Sequence, residues 1–411
     1  MMNYTIDNVT DETLFIHKAF LDLRQKEALI RILAFSQCRD INAIIHYHSQ
    51  CISANDITVE YDCPWKWVPE CKWFSFMLIF NMKDTNFSIS TKEITVSERN
   101  HFVVVPLQLV PRGNQDVLHV CVPPLYWYWN YVAFIQFIEI WRKQGATIFH
   151  IYYVSVNRHT MDVLKIYEKM GVIRLIRWQM LPRSKLIDPN RWIYRFGHTL
   201  SMNDCLYSSS AKYVALVDID EFIIPTSETL LPFLRKMHGL HGTAGSFVFE
   251  HARVRFQGWF HHKQQLKFNF SWLKNAEFQI QKGPSKTIFM PQRVQIIVTH
   301  KVREFFKPYK SFKIDIDDSL LYHARSNWIF TTVNDTIYHP TNIFHNYIPF
   351  LNEQYQKVTS QLPWQQQNLL PLWKWRMYGC KAPYHLCWNA LIDKDDWIFS
   401  DVNVSNHYIL L

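Results

Sequence analysis

Asp218, Asp220 and Glu221 lie within four residues of one another, in the stretch Y-V-A-L-V-D-I-D-E-F-I-I-P from Tyr213 to Pro225. The five residues before them, Tyr213 to Val217, form an unbroken apolar run. Such a run reads as a strand buried on both faces. Three carboxylates at its tip are costly unless positive charge neutralises them. A divalent cation suits the task, because hard ions take carboxylate oxygens. Asp218 and Asp220 are two residues apart, so on an extended chain they face the same side. Acidic residues also end ordinary solvated strands, so the place of this tip in the fold decides between the two readings.

That place follows from the segment before it. Val120–Pro124, Thr147–Val156 and Val172–Trp178 read as strands. Between them lie two helices, Asn130–Lys143 and His159–Met170, stopped by Gly145 and Gly171. Strand, helix, glycine, repeated twice, is the texture of a parallel βαβαβ unit, which binds nucleotides at the carboxyl ends of its strands. No G-x-G-x-x-G follows the first strand, which disfavours a dinucleotide fold of the usual type. Asp188-Pro189 opens a further helix, expected to run through Trp192 to about Ser208 with Gly197 as a weak point. It leads into the Tyr213 strand, so the acidic tip ends the fourth strand. Beyond it, a helix is expected at Leu230–Met237 and strands at Gly245–Phe249, Arg253–Phe256, Ile288–Met290 and Val294–Val298. Residues 260–280 look aromatic and irregular.

Three regions are expected: a β-rich, cysteine-containing module at 1–115, an α/β domain at 116–345, and a helical segment with a cysteine pair at 346–411. In the first, Leu14–Phe20 and Leu29–Phe35 read as strands. The eight cysteines, with no C-x-x-C pair, argue for disulfides clustered at the two ends rather than a zinc ribbon. Sequons at Asn3, Asn8, Asn86, Asn269, Asn334 and Asn403 lean towards a lumenal setting. A formal charge of +9, from scattered Lys and Arg, favours acidic partners but not nucleic acid. Residues 1–30 show no targeting segment, since Asp7, Asp11, Glu12, Lys18 and Asp22 interrupt every apolar run. Residues 120–138 carry no formal charge, but Pro123, Pro124, Asn130 and Gln136 make them a poor membrane span.

The segments Val120–Tyr126 and Asn130–Gly145, the Asn203-Asp204-Cys205-Leu206 helix and the D-I-D-E-F-I-I-P block together resemble glycosyltransferase family 92. Lys286, Pro291, Val294, His300 and Tyr322-His323-Ala324-Arg325 extend the resemblance, and Ala19–Arg24 is a weaker echo. Ala324 departs from it, standing where the family leads one to expect an aromatic residue. The resemblance implies a GT-A fold, with a Rossmann-like, mostly parallel sheet flanked by helices. It implies inverting, metal-dependent transfer of a hexose, typically galactose from UDP-galactose, onto a glycan of a glycoprotein or glycolipid. It also implies a type II membrane protein of the Golgi, whose anchor is not seen in residues 1–30.

On that reading Mn²⁺ or Mg²⁺ offsets the charge of the leaving diphosphate. Asp220 is the direct metal ligand, and Asp218 binds ribose or reaches the metal through water. Glu221 supports the site or touches the sugar. A third ligand comes from His300 or, alternatively, His323. Lys286 and Arg325 offset diphosphate charge. Glu250, at the end of a strand, is the candidate general base, with Glu277 and Asp315 open. Trp259 and Trp272 could stack on the acceptor. Two rivals remain. A haloacid-dehalogenase-type phosphatase also uses D-x-D after a strand, but Phe222 stands where that motif wants Thr or Val. A non-catalytic glycan-binding or scaffold protein would keep the fold without turnover.

Overall fold

Asn130 caps the helix Tyr131–Lys143 by accepting from the Ala133 amide at 3.0 Å, and Asn157 caps Arg158–Lys169 through Thr160 at 2.9 Å. Gly145 and Gly171 follow these helices with φ of 99° and 71°, a backbone that residues with a side chain rarely adopt. The computed structural model in which these elements are seen describes residues 9–60, 62–256, 269–280, 283–324, 338–364, 391–401 and 408–411. Each helix returns the chain to a parallel strand, from Gln115–Leu125 to Ala146–Tyr153 to Ile173–Arg177. The expected βαβαβ unit is present.

These strands belong to a seven-stranded sheet. Its spatial order is Ile173–Arg177, Ala146–Tyr153, Gln115–Leu125, Ala211–Leu216, Lys286–Phe289, Ala244–Phe249 and Lys310–Lys313. Six strands share one direction, and Lys286–Phe289 runs against both neighbours. The architecture is a mixed α/β one with a mostly parallel sheet. The chain builds outward from Gln115–Leu125, then crosses back to add Ala211–Leu216 on its other side. Ligands of open α/β sheets bind outside the carboxyl ends of strands at such a reversal.

A five-stranded sheet adjoins this edge, in the order Glu221–Pro225, Ser319–His323, His251–Phe256, Ala276–Ile280, His339–Pro340. The chain leaves the large sheet at Leu216 and enters the small one at Glu221, so Asp218 and Asp220 lie on the switch between them. Glu250 lies on a second switch, between Ala244–Phe249 and His251–Phe256. Segment 269–275 ends in a short 3₁₀ turn, and the chain becomes a strand only at Ala276.

Residues 9–110 supply eight strands of a nine-stranded, mainly antiparallel sheet, whose ninth, the C-terminal Ile409–Leu410, pairs with Phe15–Asp22. One face packs Phe15, Phe20, Phe35 and Trp73 against Leu200, Cys205 and Tyr207 of the helix His198–Ser208. Two buried arginines staple the two parts. Arg24 and Arg31 both bind Asp22, while Arg24 donates to the Pro291 and Val294 carbonyls and Arg31 to Gln295.

Two expectations need correction. The helix from Asp188 to Ser208 is split: 3₁₀ turns at Pro189–Trp192 and Tyr194–Phe196 precede the α-helix His198–Ser208. The disulfides are Cys38–Cys63 and Cys121–Cys205. The second ties the first strand of the large sheet to the Asn203-Asp204-Cys205-Leu206 helix, so among the described residues the bridges are not confined to the N-terminal end. Cys380 and Cys387 lie outside the described residues. The uncharged stretch 120–138 divides between a strand and a helix, and among the described residues no helix is long and apolar enough to cross a membrane.

Candidate functional site

Val217 is the last buried apolar residue before the acidic tip. The tip folds back at once: the Glu221 amide donates to the Asp218 carbonyl at 3.0 Å, and the Asp218 amide donates to Glu221 Oε2 at 2.7 Å. Trp141 of the first helix pins the turn by donating to the Glu221 carbonyl at 3.0 Å. Glu221 is thus 1% exposed, whereas Asp218 and Asp220 remain partly open.

Lys286 explains how the carboxylates are tolerated. It starts the strand that runs against the others, so it lies at the same edge as their carboxyl ends. It is 1% exposed, and its ammonium lies 2.8 Å from Asp218 Oδ2 and 3.0 Å from Glu221 Oε2. Burial opposes its charge, but the two carboxylates more than compensate and raise its pKa. Burial would lift Asp218, yet the Lys286 ammonium holds its carboxyl well below the usual range. Glu221 goes the other way. Burial pushes it up to about 7, with Lys286 opposing and Asp218 reinforcing the rise.

Asp220 has a different partner. Antiparallel pairing sets Glu221 opposite His323, and His323 Nε2 lies 3.4 Å from Asp220 Oδ1. The Ala324 amide donates to the Asp220 carbonyl at 2.7 Å. Behind His323 stands His251, with Nε2 3.1 Å from His323 Nδ1. Burial disfavours the His323 imidazolium, but Asp220 and Glu221 outweigh it and raise the pKa. Of the two candidate histidines, His323 is the one that faces Asp220. His300 sits in the turn between Val294–Val298 and Lys301–Phe305. Burial and the Lys286 charge depress it to about 4, so it is neutral at pH 7.

A carboxylate and an imidazole converging on a partly open rim suit a divalent cation. Among the described residues, no three His, Cys, Asp or Glu side chains gather closely enough to hold one unaided. The arrangement therefore fits an ion whose remaining ligands are substrate oxygens and water, as is common for ions that sit on phosphates.

Glu250 is one-quarter exposed and paired with Lys313 at 2.7 Å. Arg325 and Trp259 lie outside the described residues. Trp272 packs edge-on against Phe256, with ring centroids 4.6 Å apart. Glu277 pairs with Arg255 at 2.5 Å.

Three residues near the tip were not anticipated from the sequence. Arg195 has φ of 42°, and Phe196 and Gly197 follow at 54° and 78°. This left-handed run carries Arg195 to where the charges of Asp218 and Asp220 reinforce its own against burial. His198 is buried, with Nε2 3.9 Å from Asp218 Oδ1 and neither ring nitrogen hydrogen-bonded among the described residues. Tyr128, above the first strand, feels the Asp220 charge, although burial contributes most to its raised pKa. Gly197 was the visible signal, as a weak point in an expected helix. A methyl group there would overlap the ring of buried Phe35. Gly197→Ala is expected to cost about 2–5 kcal/mol, from left-handed strain and overpacking together. Urea unfolding checks this, and an unchanged midpoint would show that the run tolerates a side chain.

The sequence profile described as Glycosyltransferase family 92 matches residues 116–368, a range that includes the acidic tip, Lys286 and His323. Two Caenorhabditis elegans proteins described as glycosyltransferase family 92 proteins are similar. One is 23% identical over 232 residues, 54% of this chain and 44% of its own length. The other is 23% identical over 263 residues, 61% of this chain and 50% of its own. The chain spans about half the length of these curated relatives. The crystal structure of S. aureus TarS 1-349 in complex with UDP-GlcNAc superposes with a TM-score of 0.29 and 17% identity, covering 54% of this chain and 62% of that one. A superposition this loose carries no argument.

Proposed function

The chain belongs to glycosyltransferase family 92, and on that premise we propose that it is an inverting glycosyltransferase of GT-A type. It moves a hexose, with galactose from UDP-galactose the first donor to test, onto a glycan acceptor. One observation carries the proposal. The Asp218–Glu221 tip sits where the chain switches sheets, at the carboxyl edge beside the reversal in strand order, with a buried lysine holding Asp218 ionised.

In the reaction an acceptor hydroxyl attacks the anomeric carbon as the bond to the UDP oxygen breaks. The hydroxyl proton passes to a carboxylate, and UDP leaves with the bonding electrons. Asp218, kept anionic by Lys286, would accept hydrogen bonds from the ribose hydroxyls. Neutral, buried His198 lies beside it as a further polar contact. Arg195 would meet the diphosphate, for which a guanidinium fork is suited, and Arg325 is a second candidate. Asp220 and His323 would hold Mn²⁺ or Mg²⁺, which when bound supplies Lewis-acid charge at the leaving diphosphate. Glu250 is proposed as the base, and its pair with Lys313 must open for it to take a proton. The two disulfides support an oxidising compartment, and the Golgi lumen or membrane is the proposed setting.

The test is UDP release from UDP-galactose, with a mixed glycan acceptor pool, in Mn²⁺ and in EDTA. Acceptor-dependent release in Mn²⁺, lost in EDTA, is the expected result. Binding of UDP without release across a panel of UDP-hexoses would favour a non-catalytic glycan-binding protein. No UDP binding in either condition would sink the proposal.

A further inference from the structure

Residues 181–190 form a closed loop. The Asn190 side chain at one end binds the backbone of Leu181 at the other, accepting from its amide and donating to its carbonyl, each at 2.8 Å. Inside, the Ser184 amide donates to the Ile187 carbonyl at 2.9 Å, and Ser184 Oγ accepts from the Ile187 amide at 3.1 Å. The chain that leaves the loop is fastened to the N-terminal sheet. The Lys72 amide donates to the Trp192 carbonyl at 2.8 Å, and Ile193 bridges to Trp73. Between loop and sheet lies a groove of about 540 Å³, large enough for several sugar rings rather than one ion.

Its lining has a definite character. Lys72, Arg183, Lys185 and Arg191 face two carboxylates, Asp11 and Asp188, which leaves two positive charges in excess. Arg183 and Arg191 share Asp188, each at 3.6 Å, and the Arg191 side chain is 51% exposed. Trp192 is 42% exposed on the same wall, with the Lys72 ammonium 5.1 Å from its ring centre. At the loop tip Leu186 is 95% exposed. Guanidinium forks select planar or tetrahedral oxyanions, and the exposed part of the indole beside Lys72 offers apolar surface to a sugar ring.

The groove is also close to the acidic tip. Two residues separate Trp192 from Arg195, a chain reach of no more than about 11 Å, and three positions further on His198 has its Nε2 3.9 Å from Asp218 Oδ1. We propose that this groove is an acceptor subsite for an acidic oligosaccharide, one bearing carboxylate or sulfate groups, held with its reactive end towards Asp220. The word acceptor rests on the transferase reading; the acidic-glycan site does not.

The experiment titrates the purified chain with a sulfated heparin tetrasaccharide, a hyaluronan tetrasaccharide and neutral chitotetraose, at low and high salt. The same titrations are run on Lys185→Glu combined with Arg191→Glu. At least one acidic probe is expected to bind ten-fold or more tighter than the neutral one, and more weakly in high salt. Which acidic probe binds separates sulfate from carboxylate recognition. The double variant is expected to lose ten-fold or more in that affinity, with UDP affinity and melting temperature unchanged. Equal binding of neutral and acidic probes, no binding of any, or indifference to the double variant would overturn the proposal. Acidic-probe binding without UDP binding would keep the groove and sink the donor site. UDP binding without acidic-probe binding would do the reverse.

Discussion

Asp220→Asn is expected to lower acceptor-dependent UDP release by roughly 10²- to 10³-fold, the scale on which losing one electrostatic contact to a developing charge acts, while the fold survives. The fold survives because little rests on this carboxylate. Its side chain is 30% exposed and its ion pair with His323 spans 3.4 Å, and pairs of that kind contribute little. The contact that shapes the tip is made by the Asp220 backbone carbonyl, which the substitution leaves in place. On the proposed reading activity depends on it, because Asn cannot supply the anionic oxygen that a divalent ion on a diphosphate requires. Adding Mn²⁺ should recover part of the loss if weakened metal binding is the cause. The checks are UDP release, UDP affinity and a thermal melt on the same preparation. A variant that melts normally and keeps a third or more of wild-type turnover would remove Asp220 from the chemistry.

Asp218→Asn and Asp220→Asn should differ, because the tip has two halves. One is Asp218 and Glu221 with the buried Lys286 ammonium between them, so that both carboxylates meet one cation. The other is Asp220 with His323 and His251, facing the rim. Much of this was visible in the sequence. Continuous apolar runs and glycine stops announce the parallel strands and their helices, since helix periodicity and left-handed caps are local properties. The acidic tip was visible because three carboxylates after a buried run break the local pattern. What stayed hidden depends on pairing between distant segments. Lys286 was expected to offset diphosphate charge, and only antiparallel pairing reveals that it is buried between Asp218 and Glu221. Nothing near His323 shows that it stands across from Glu221. The Cys121–Cys205 bridge spans 84 residues, a pairing that spacing cannot choose among eight cysteines. Arg195 was hidden for a different reason: a helix was expected where three successive left-handed residues turn the chain towards the tip.

Lys286→Met destabilises the protein by about 3–5 kcal/mol, the cost of removing one partner from a buried ion pair, and more at pH 8 than at pH 6. Methionine matches the volume of the lysine stem, so lost packing contributes little. The cost comes from Glu221 and Asp218, which lose the ammonium held within 3.0 Å of both. The pH dependence follows from their opposite shifts. Glu221 titrates near 7 in the folded chain and near 4.5 when unfolded. Its raised pKa favours the folded state at low pH, and that advantage is lost as pH climbs towards 7. Lys286 is one of the charges restraining that rise, so without it the Glu221 pKa moves higher and stability keeps falling through pH 8. Asp218 is depressed, so its contribution is present above about 4 and lost in acid. In the variant most of that contribution is gone at both pH 6 and pH 8. The difference between the two conditions therefore reports Glu221. Unfolding in EDTA at pH 6 and pH 8 measures it, and adding Glu221→Gln to Lys286→Met should erase the difference. Equal losses at both pH values, or a difference that survives Glu221→Gln, would mean that this buried carboxyl is not what Lys286 holds in check.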